Sequence, residues 1–235
     1  MFEIRPLEIS DIPEVVKGWN QVLVYDRVSE DQFKRIVLDD PNYERDLNLV
    51  VVKDERIVGF VSAAARESIL GRDGRGRLEE IYDGYIKGLY VLNDHSGSKI
   101  GEDLLNKVLK HLKSKGKRVV KIVEYTGRYF FPGIDVRYVN LLRLFDENGF
   151  KRVYKLHDVA IDLKDFKPTQ YQKRAKRQVL GMGIKITTYK PEMLGLIREF
   201  VKKLNIKQWF PRGWENAFGK DGYTLIAIKG DKILG

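Results

Sequence analysis

The most regular pattern of apolar and polar positions in the chain lies between residues 81 and 112. Residues 81–91 are rich in Ile, Tyr, Leu and Val, a composition typical of a buried strand. Apolar residues then recur at steps of four, the spacing of one helix face: Ile100, Leu104, Val108 and Leu112. The amides at a helix start lack intrahelical acceptors and attract anions. The segment therefore predicts a strand, an anion-binding glycine loop at residues 96–101 and a helix.

The residues on either side predict a mixed sheet with helices between its strands. Strands are expected at residues 2–5, 47–53, 56–65, 118–125, 152–156 and 158–163. Two early helices are expected to start at N-caps Ser10 and Ser29, the second with Gln32 completing a capping box. A later helix around residues 138–145 is ended by Gly149. Residues 1–163 thus predict one α/β domain, with α+β character in its mixed sheet.

A second series of predicted strands and helices follows a basic segment of the chain. Residues 164–182 predict a basic linker helix capped by Thr169. In residues 183–235 a strand, a helix opened by Pro191, a second strand and a tight turn follow one another. The Ile-Leu-Gly after this turn matches the Ile-Val-Gly after the turn at Asp54. We therefore expect a smaller C-terminal α/β segment that repeats the opening of the first domain.

The amino-acid composition restricts the kinds of chemistry that the protein can carry out. The chain has no cysteine and only three histidines, which excludes thiolate chemistry and disulfides and argues against a metal site. No apolar run is long enough to span a membrane, and the first residues do not form a signal peptide, so we expect a cytoplasmic protein. The net charge of +10 suits a polyanion or a phosphorylated cofactor, but it also fits a lysine-rich solvated surface.

Residues 89–101, Leu-Tyr-Val-Leu-Asn-Asp-His-Ser-Gly-Ser-Lys-Ile-Gly, resemble the acyl-CoA-binding segment of the GNAT superfamily of N-acetyltransferases. In that family an apolar strand end leads into an Arg/Gln-x-x-Gly-x-Gly/Ala loop. Ser96 here stands where Arg or Gln is usual, and Lys99 where the middle Gly is usual. The strand order and a helix ending in Gly149-Phe150 extend the resemblance over residues 1–163. It implies a GNAT-like acyltransferase fold, and a partial second GNAT-like unit at 183–235.

The resemblance also implies a cofactor and its contacts. Acetyl-CoA would lie between two splayed strands, its thioester carbonyl held by a backbone N–H at a strand bulge near residues 89–91. The implied cofactor-binding residues are those of the strand end and the loop: Leu89, Tyr90, Val91, Ser96, Gly97, Ser98, Lys99, Ile100 and Gly101.

Two carboxylates and two tyrosines are candidates for the proton transfers of acetyl transfer. The attacking amine must lose a proton, and Asp83 and Glu124 are the carboxylates near the expected cleft. Solvated charges at strand ends are the alternative interpretation of both. Many family members protonate the leaving thiolate with a tyrosine, but Phe145 fills that position here. Tyr125 and Tyr138 are the alternative donors.

The leading hypothesis is therefore an N-acetyltransferase that moves an acetyl group from acetyl-CoA to a small-molecule or protein amine by direct attack. One alternative is a CoA-binding sensor or adaptor that no longer catalyses. Another is a nucleic-acid-binding protein, which the scarcity of aromatic residues among the basic clusters disfavours. We expect no membrane partner and no metal, and a homodimer is left open.

Overall fold

The computed structural model of the protein describes residues 2–66, 81–95, 99–125, 128–157, 159, 161–204 and 224–235. The chain divides into two compact units, Met1–Leu156 and His157–Gly235. Each unit contains its own β-sheet and its own buried apolar cluster. The predicted α/β fold class, with a smaller C-terminal segment, is confirmed. The proposed division at residues 163 and 182 stays a prediction.

The first unit is built on a five-stranded mixed sheet in the order β1-β2-β3-β4-β5. Its strands are β1 (Glu3–Pro6), β2 (Asn48–Lys53), β3 (Arg56–Ala65), β4 (Asp83–Val91) and β5 (Val119–Ile122). Neighbouring strands are antiparallel from β1 to β4, whereas β5 runs parallel to β4. The first four strands agree with the sequence prediction to within two residues at each end, and β5 is shorter than expected.

In the described part of the first unit, four α-helices accompany this sheet: α1 (Ile12–Val22), α2 (Glu30–Val37), α3 (Ile100–Ser114) and α4 (Val139–Glu147). Two glycines of β4 show how closely helices approach the sheet. A Cβ added to Gly84 would lie 2.9 Å from Leu112 of α3, and one added to Gly88 would collide with Trp19 of α1. Helices α1 and α3 therefore cover opposite faces of β4, at positions where only glycine fits.

The capping predictions have different outcomes. At α2 the Ser29 hydroxyl accepts the Gln32 amide at 3.2 Å, and the Gln32 side chain accepts the Ser29 amide at 2.9 Å, so the capping box is confirmed. The prediction that Ser10 caps α1 is wrong, because Ser10 lies inside a 3₁₀ turn, Ile9–Asp11. The side chain that accepts an amide there belongs to Asp11, from Glu8 at 2.8 Å.

The strands predicted at residues 152–156 and 158–163 are wrong. The described residues of these segments have no regular secondary structure, and Val153 and Val159 are 85% and 95% exposed. Alternating apolar residues favour a strand only where a neighbouring strand accepts its backbone hydrogen bonds. No such ladder forms in the described part of this segment, so the apolar side chains stay in solvent.

The second unit contains a helix and a small α/β arrangement. Its elements are α5 (Gln170–Gly181), β6 (Lys185–Thr188), α6 (Leu194–Leu204), β7 (Leu225–Lys229) and β8 (Lys232–Ile233). The three strands form an antiparallel sheet in the order β6-β7-β8, over a core of Ile197, Val201 and Ile226. In neither unit do the described residues contain a helix that is long and apolar enough to cross a membrane.

The buried carboxylate of Asp11 makes the stability of the first unit dependent on pH. Arg5 donates two hydrogen bonds to it, at 2.6 and 2.8 Å, and these bonds hold the pKa of Asp11 below its ordinary value. A folded-state pKa below the unfolded value means stabilisation that is present above about pH 4 and lost as the pH falls through the folded value.

We predict that Asp11→Asn lowers the free energy of unfolding by about 1.5–3 kcal/mol at pH 7, the usual range for hydrogen bonds to a charged group. The difference from the unmodified chain should shrink as the pH falls below 4. Urea unfolding of both proteins at a series of pH values measures this. A difference that stays constant down to pH 2 would contradict the role given to the ionised carboxylate.

Candidate active site at the fork between β4 and β5

Strands β4 and β5 separate after a short parallel ladder. The ladder pairs Asp83 with Val119 and ends at the pair of Ile86 with Ile122. One further bond follows, from the Val123 amide to the Ile86 carbonyl at 2.9 Å. Val123 has φ +61°, a left-handed conformation that is unusual for a β-branched residue, and it ends β5. From Lys87 to Val91, β4 therefore continues without pairing to β5, and the two strands form a fork.

A β-bulge lies at the base of this fork. On β3, Ser62 pairs with Gly88 and the next residue, Ala63, pairs with Ile86, so Lys87 is the extra residue of β4. The sequence prediction placed the bulge at residues 89–91, and the structure places it two residues earlier. Bulges re-aim side chains and backbone groups, and here the bulge lies where the β4–β5 ladder ends.

The predicted cofactor-binding residues that the structure describes lie along one arm of the fork and at the start of α3. Leu89 and Tyr90 are buried in the core and Val91 is half-buried, so their side chains face the protein. Their backbone groups remain the ones that a ligand would contact. At the helix start, Lys99 occupies the N-cap position and is exposed. Ser96, Gly97 and Ser98 lie outside the described residues.

The second glycine of the predicted loop has a packing role. A Cβ added to Gly101 would lie 3.0 Å from Leu144, so a larger residue would push α3 away from α4. Ile100, beside it, is 2% exposed and belongs to the core. The first turn also carries Glu102 and Asp103, whose carboxylates complement the positive end of the helix. Lys99 is therefore the charged side chain at this helix start that favours an anion.

The carboxylates of Asp83 and Glu124 lie near each other, as the sequence suggested. The Lys121 ammonium is 2.9 Å from Asp83 and 3.5 Å from Glu124 and so bridges them. Burial lowers the pKa of Lys121, but the two carboxylates outweigh it and the net pKa is raised. Asp83 is buried, whereas Glu124 is exposed and also accepts the Tyr154 hydroxyl. Glu124 is thus the more accessible candidate base.

Tyr125 is buried, and its hydroxyl is fully engaged. It donates to Asp40 at 2.9 Å and accepts from the Asn42 side chain at 2.6 Å. Its ring lies 5.0 Å from that of Tyr85, whose hydroxyl is 3.3 Å from Asp83. Burial and the charge of Asp40 raise the pKa of Tyr125. The hydroxyl therefore holds its proton more firmly than a free tyrosine does.

The sequence prediction missed a buried ion pair beside these candidates. The Lys87 ammonium lies 2.6 Å from Asp40, and both side chains are 1% exposed. Lys87 also donates to the Ile36 carbonyl. Burial lowers the pKa of Lys87 and the charge of Asp40 opposes that shift, with a net lowering. A lysine in the middle of the largely apolar β4 was the signal in the sequence, but nothing local identified Asp40 as its partner.

The two other aromatic candidates have structural roles. Phe145 is 4% exposed and packs edge-to-face against Phe150, with ring centroids 5.2 Å apart. The Tyr138 hydroxyl accepts the Tyr25 amide at 2.9 Å. Phe145 therefore belongs to the core, and the hydroxyl of Tyr138 is engaged at the N-terminal end of α4.

Comparison with known proteins agrees with this architecture. Residues 14–128 match the sequence profile described as the acetyltransferase (GNAT) family. A comparison with curated protein sequences finds no significant match.

Among solved structures, one match is a GCN5-related glucosamine N-acetyltransferase region of a fungal multi-domain GH3 β-N-acetylglucosaminidase. The match covers 100% of this chain and 26% of that chain, with 20% sequence identity and a TM-score of 0.62. The ribosomal-protein-S18-alanine N-acetyltransferase from Escherichia coli matches with 16% identity, over 66% of this chain and 80% of its own, at TM-score 0.47. An aminoglycoside N-acetyltransferase, AAC(6')-Iy, determined in complex with CoA, matches with 13% identity, over 68% and 95%, at TM-score 0.47.

The first unit is thus a mixed α/β domain whose parallel pair of strands forks and whose chain then leads to the start of α3. The profile match assigns part of this unit to a particular family: residues 14–128 form a domain that matches the GNAT acetyltransferase family.

We predict that Phe145→Tyr destabilises the protein by about 1–3 kcal/mol, the cost of a buried hydroxyl without a partner. The added oxygen would enter the apolar contact with Phe150. Urea unfolding measures the change, and Phe166→Tyr, which adds the same hydroxyl to an exposed ring, is the control and should leave the stability unchanged. A stable Phe145→Tyr variant with faster acetyl transfer would instead show that this position reaches the reacting sulfur.

Proposed function

We propose that the protein is an acetyl-CoA-dependent N-acetyltransferase acting at the fork between β4 and β5. The observation that carries the proposal is the unpaired edge of β4 from Lys87 to Val91, which leads along the chain to the start of α3. An extended ligand with amide groups can hydrogen-bond to such an edge in the manner of an added strand. A pyrophosphate fits the first amides of α3.

Acetyl-CoA would bring to this site an acetyl group activated as a thioester. The backbone of residues 87–91 would hold its arm, and a β4 amide would polarise the thioester carbonyl. Lys99 and the first turn of α3 would hold the phosphates. The side of the fork that carries Asp83, Tyr85 and Glu124 would receive the amine, because the carboxylates lie there.

Glu124 is the proposed general base, directly or through a water molecule. It is exposed at the end of β5 and can take a proton from an incoming ammonium, and Asp83 would help to position that cation. Tyr125 is our candidate for returning a proton to the leaving thiolate, but burial and the charge of Asp40 raise its pKa, so it gives up its proton less readily than a free tyrosine. A thiolate can also leave unprotonated.

The second unit is proposed to be a partial copy of the first. Strand β1 pairs antiparallel with β2, which continues through a tight turn into β3, and β6, β7 and β8 repeat this order. Leu7 donates to the carbonyl of Asn48, the first residue of β2, at 2.8 Å, and Tyr189 donates to the carbonyl of Thr224, immediately before β7, at 2.7 Å. The match of the whole chain to one acetyltransferase region supports this proposal at the level of fold.

We predict that Lys99→Glu weakens acetyl-CoA binding about tenfold, because it replaces attraction by repulsion at the phosphates, and tenfold corresponds to about 1.4 kcal/mol. Isothermal calorimetry at low and moderate salt measures the affinity. Lys110→Glu makes the same change on an exposed position of α3 well beyond its first turn and should leave the affinity unchanged. Equal effects of the two substitutions would contradict a phosphate site at the helix start.

The activity itself is tested with labelled acetyl-CoA and a panel of amines. The panel contains glucosamine, an aminoglycoside and an N-terminal alanyl peptide, the acceptors that the names of the structural neighbours indicate. We expect transfer to at least one amine, and Glu124→Gln should lower kcat by about 10²–10⁴-fold with little change in acetyl-CoA affinity. Tight binding of acetyl-CoA without transfer to any amine would favour the sensor alternative.

A further inference from the structure

The carboxylate of Asp40 connects the two arms of the fork. One of its oxygens is 2.6 Å from the Lys87 ammonium, at the bulge of β4. The other oxygen accepts the Tyr125 hydroxyl at 2.9 Å, three residues beyond the end of β5. The two strands have lost their own hydrogen bonds at this level, so this side-chain bridge joins them where the backbone ladder has ended.

The bridge is anchored from outside the sheet. Asp40 follows α2, and its Oδ1 also accepts the Asn42 amide at 2.9 Å. Lys87 makes a second bond, to the Ile36 carbonyl in α2. The Asn42 side chain completes the coordination of the Tyr125 hydroxyl at 2.6 Å. The bridge therefore has a fixed position relative to α2 as well as a fixed span between the strands.

Stability does not explain a buried ion pair in this place. Removing two charges from water costs several kcal/mol per ion, and a pair of well-packed apolar residues of similar volume is often as stable or more stable. The main apolar core includes Ile86, next to Lys87, and a second buried cluster contains Tyr125, so apolar side chains in place of the pair would have apolar neighbours. The charged pair contributes a defined geometry. Its short hydrogen bonds have preferred lengths and angles, so they fix the distance between the two strands more closely than apolar packing does.

We propose that Lys87, Asp40 and Tyr125 form a positioning bridge that sets the spread of the fork and thereby the place of the β4 backbone groups that hold the acetyl-CoA arm. Lys87 and Asp40 act through the strands and touch no reacting atom. The inference rests on the proposed function for its catalytic meaning, whereas the geometric role of the bridge is independent of any ligand.

The test uses a double variant, Lys87→Met with Asp40→Leu, which removes both charges together and so leaves no unpaired ion. We expect it to fold with a stability close to that of the unmodified chain. The Val123 amide hydrogen, whose bond to Ile86 marks the base of the fork, should exchange with solvent at least about tenfold faster. The affinity for acetyl-CoA should fall by at least about tenfold, because a small misplacement of binding groups has a large effect.

The control is the matched double variant Arg5→Met with Asp11→Leu, at the ion pair on β1, the opposite edge of the sheet. It should change neither exchange at Val123 nor the affinity. Tyr125→Phe keeps the ion pair but cuts the link to β5, and it should reproduce the effects of the first double variant even where that variant folds poorly. The single variant Lys87→Arg keeps a cation opposite Asp40, and it should retain most of the acetyl-CoA affinity of the unmodified chain.

Three outcomes test the bridge, the proposed function and the link between them separately. Unchanged Val123 exchange and unchanged acetyl-CoA affinity in Tyr125→Phe and in the folded double variant would overturn the bridge. Failure of the unmodified chain to bind acetyl-CoA would overturn the proposed function, and the exchange measurement alone would then judge the bridge. Faster exchange at Val123 with normal affinity would overturn the link between the bridge and cofactor placement.

Discussion

The site depends on the point at which the parallel ladder between β4 and β5 stops. Two backbone irregularities fix it: the extra residue Lys87 in β4 and the left-handed Val123 after β5. A β-branched residue in that conformation costs of order 1–3 kcal/mol and persists only where its surroundings enforce it. Val123 is 6% exposed and belongs to the main core, and its amide bonds to Ile86, so packing and hydrogen bonding together hold the strained residue.

Apolar packing determines where the other half of the site lies. Leu104, Leu105, Val108 and Leu112 of α3 are all completely buried, and Gly84 of β4 leaves room for Leu112. This contact fixes the helix on one face of the sheet. Gly101 lets the first turn approach Leu144 of α4, which fixes the other end. The helix start that we propose for phosphate binding is therefore placed by the core, and no polar interaction is needed to aim it.

Local patterns predicted most of the fold because the interactions behind them are local. The four-residue steps of α3, the capping box at Ser29 and the turn at Asp54 and Glu55, both with positive φ, each depend on neighbours in sequence. The strands predicted at residues 152–156 and 158–163 failed for the opposite reason. Their alternation describes one face of a strand, but a strand also needs a partner, and alternation says nothing about the partner.

The candidate site likewise contains residues that the sequence suggested and residues that only the structure reveals. Asp83 and Glu124 became candidates because each lies in or next to one strand of a pair that the resemblance placed side by side, whereas the Lys121 ammonium that bridges them is seen only in the structure. The bridge was not, since 47 residues separate Asp40 from Lys87 and 85 separate it from Tyr125. A single carboxylate after α2 looks solvated in the sequence, and only the fold shows that it is buried between two strands.

The net charge of the chain does not explain how a phosphorylated ligand would be attracted to the site. The first unit, residues 1–156, holds 27 Lys and Arg against 25 Asp and Glu, whereas residues 157–235 hold 16 against 8. Most of the excess of +10 thus lies outside the unit that contains the fork. In a nearly neutral unit, and with charges screened beyond about 8–10 Å at physiological salt, attraction must come from groups at the site itself. The first amides of α3 and the exposed Lys99 are the groups that we propose for this role, which is why our proposal places phosphate recognition at one helix end and not on the surface as a whole.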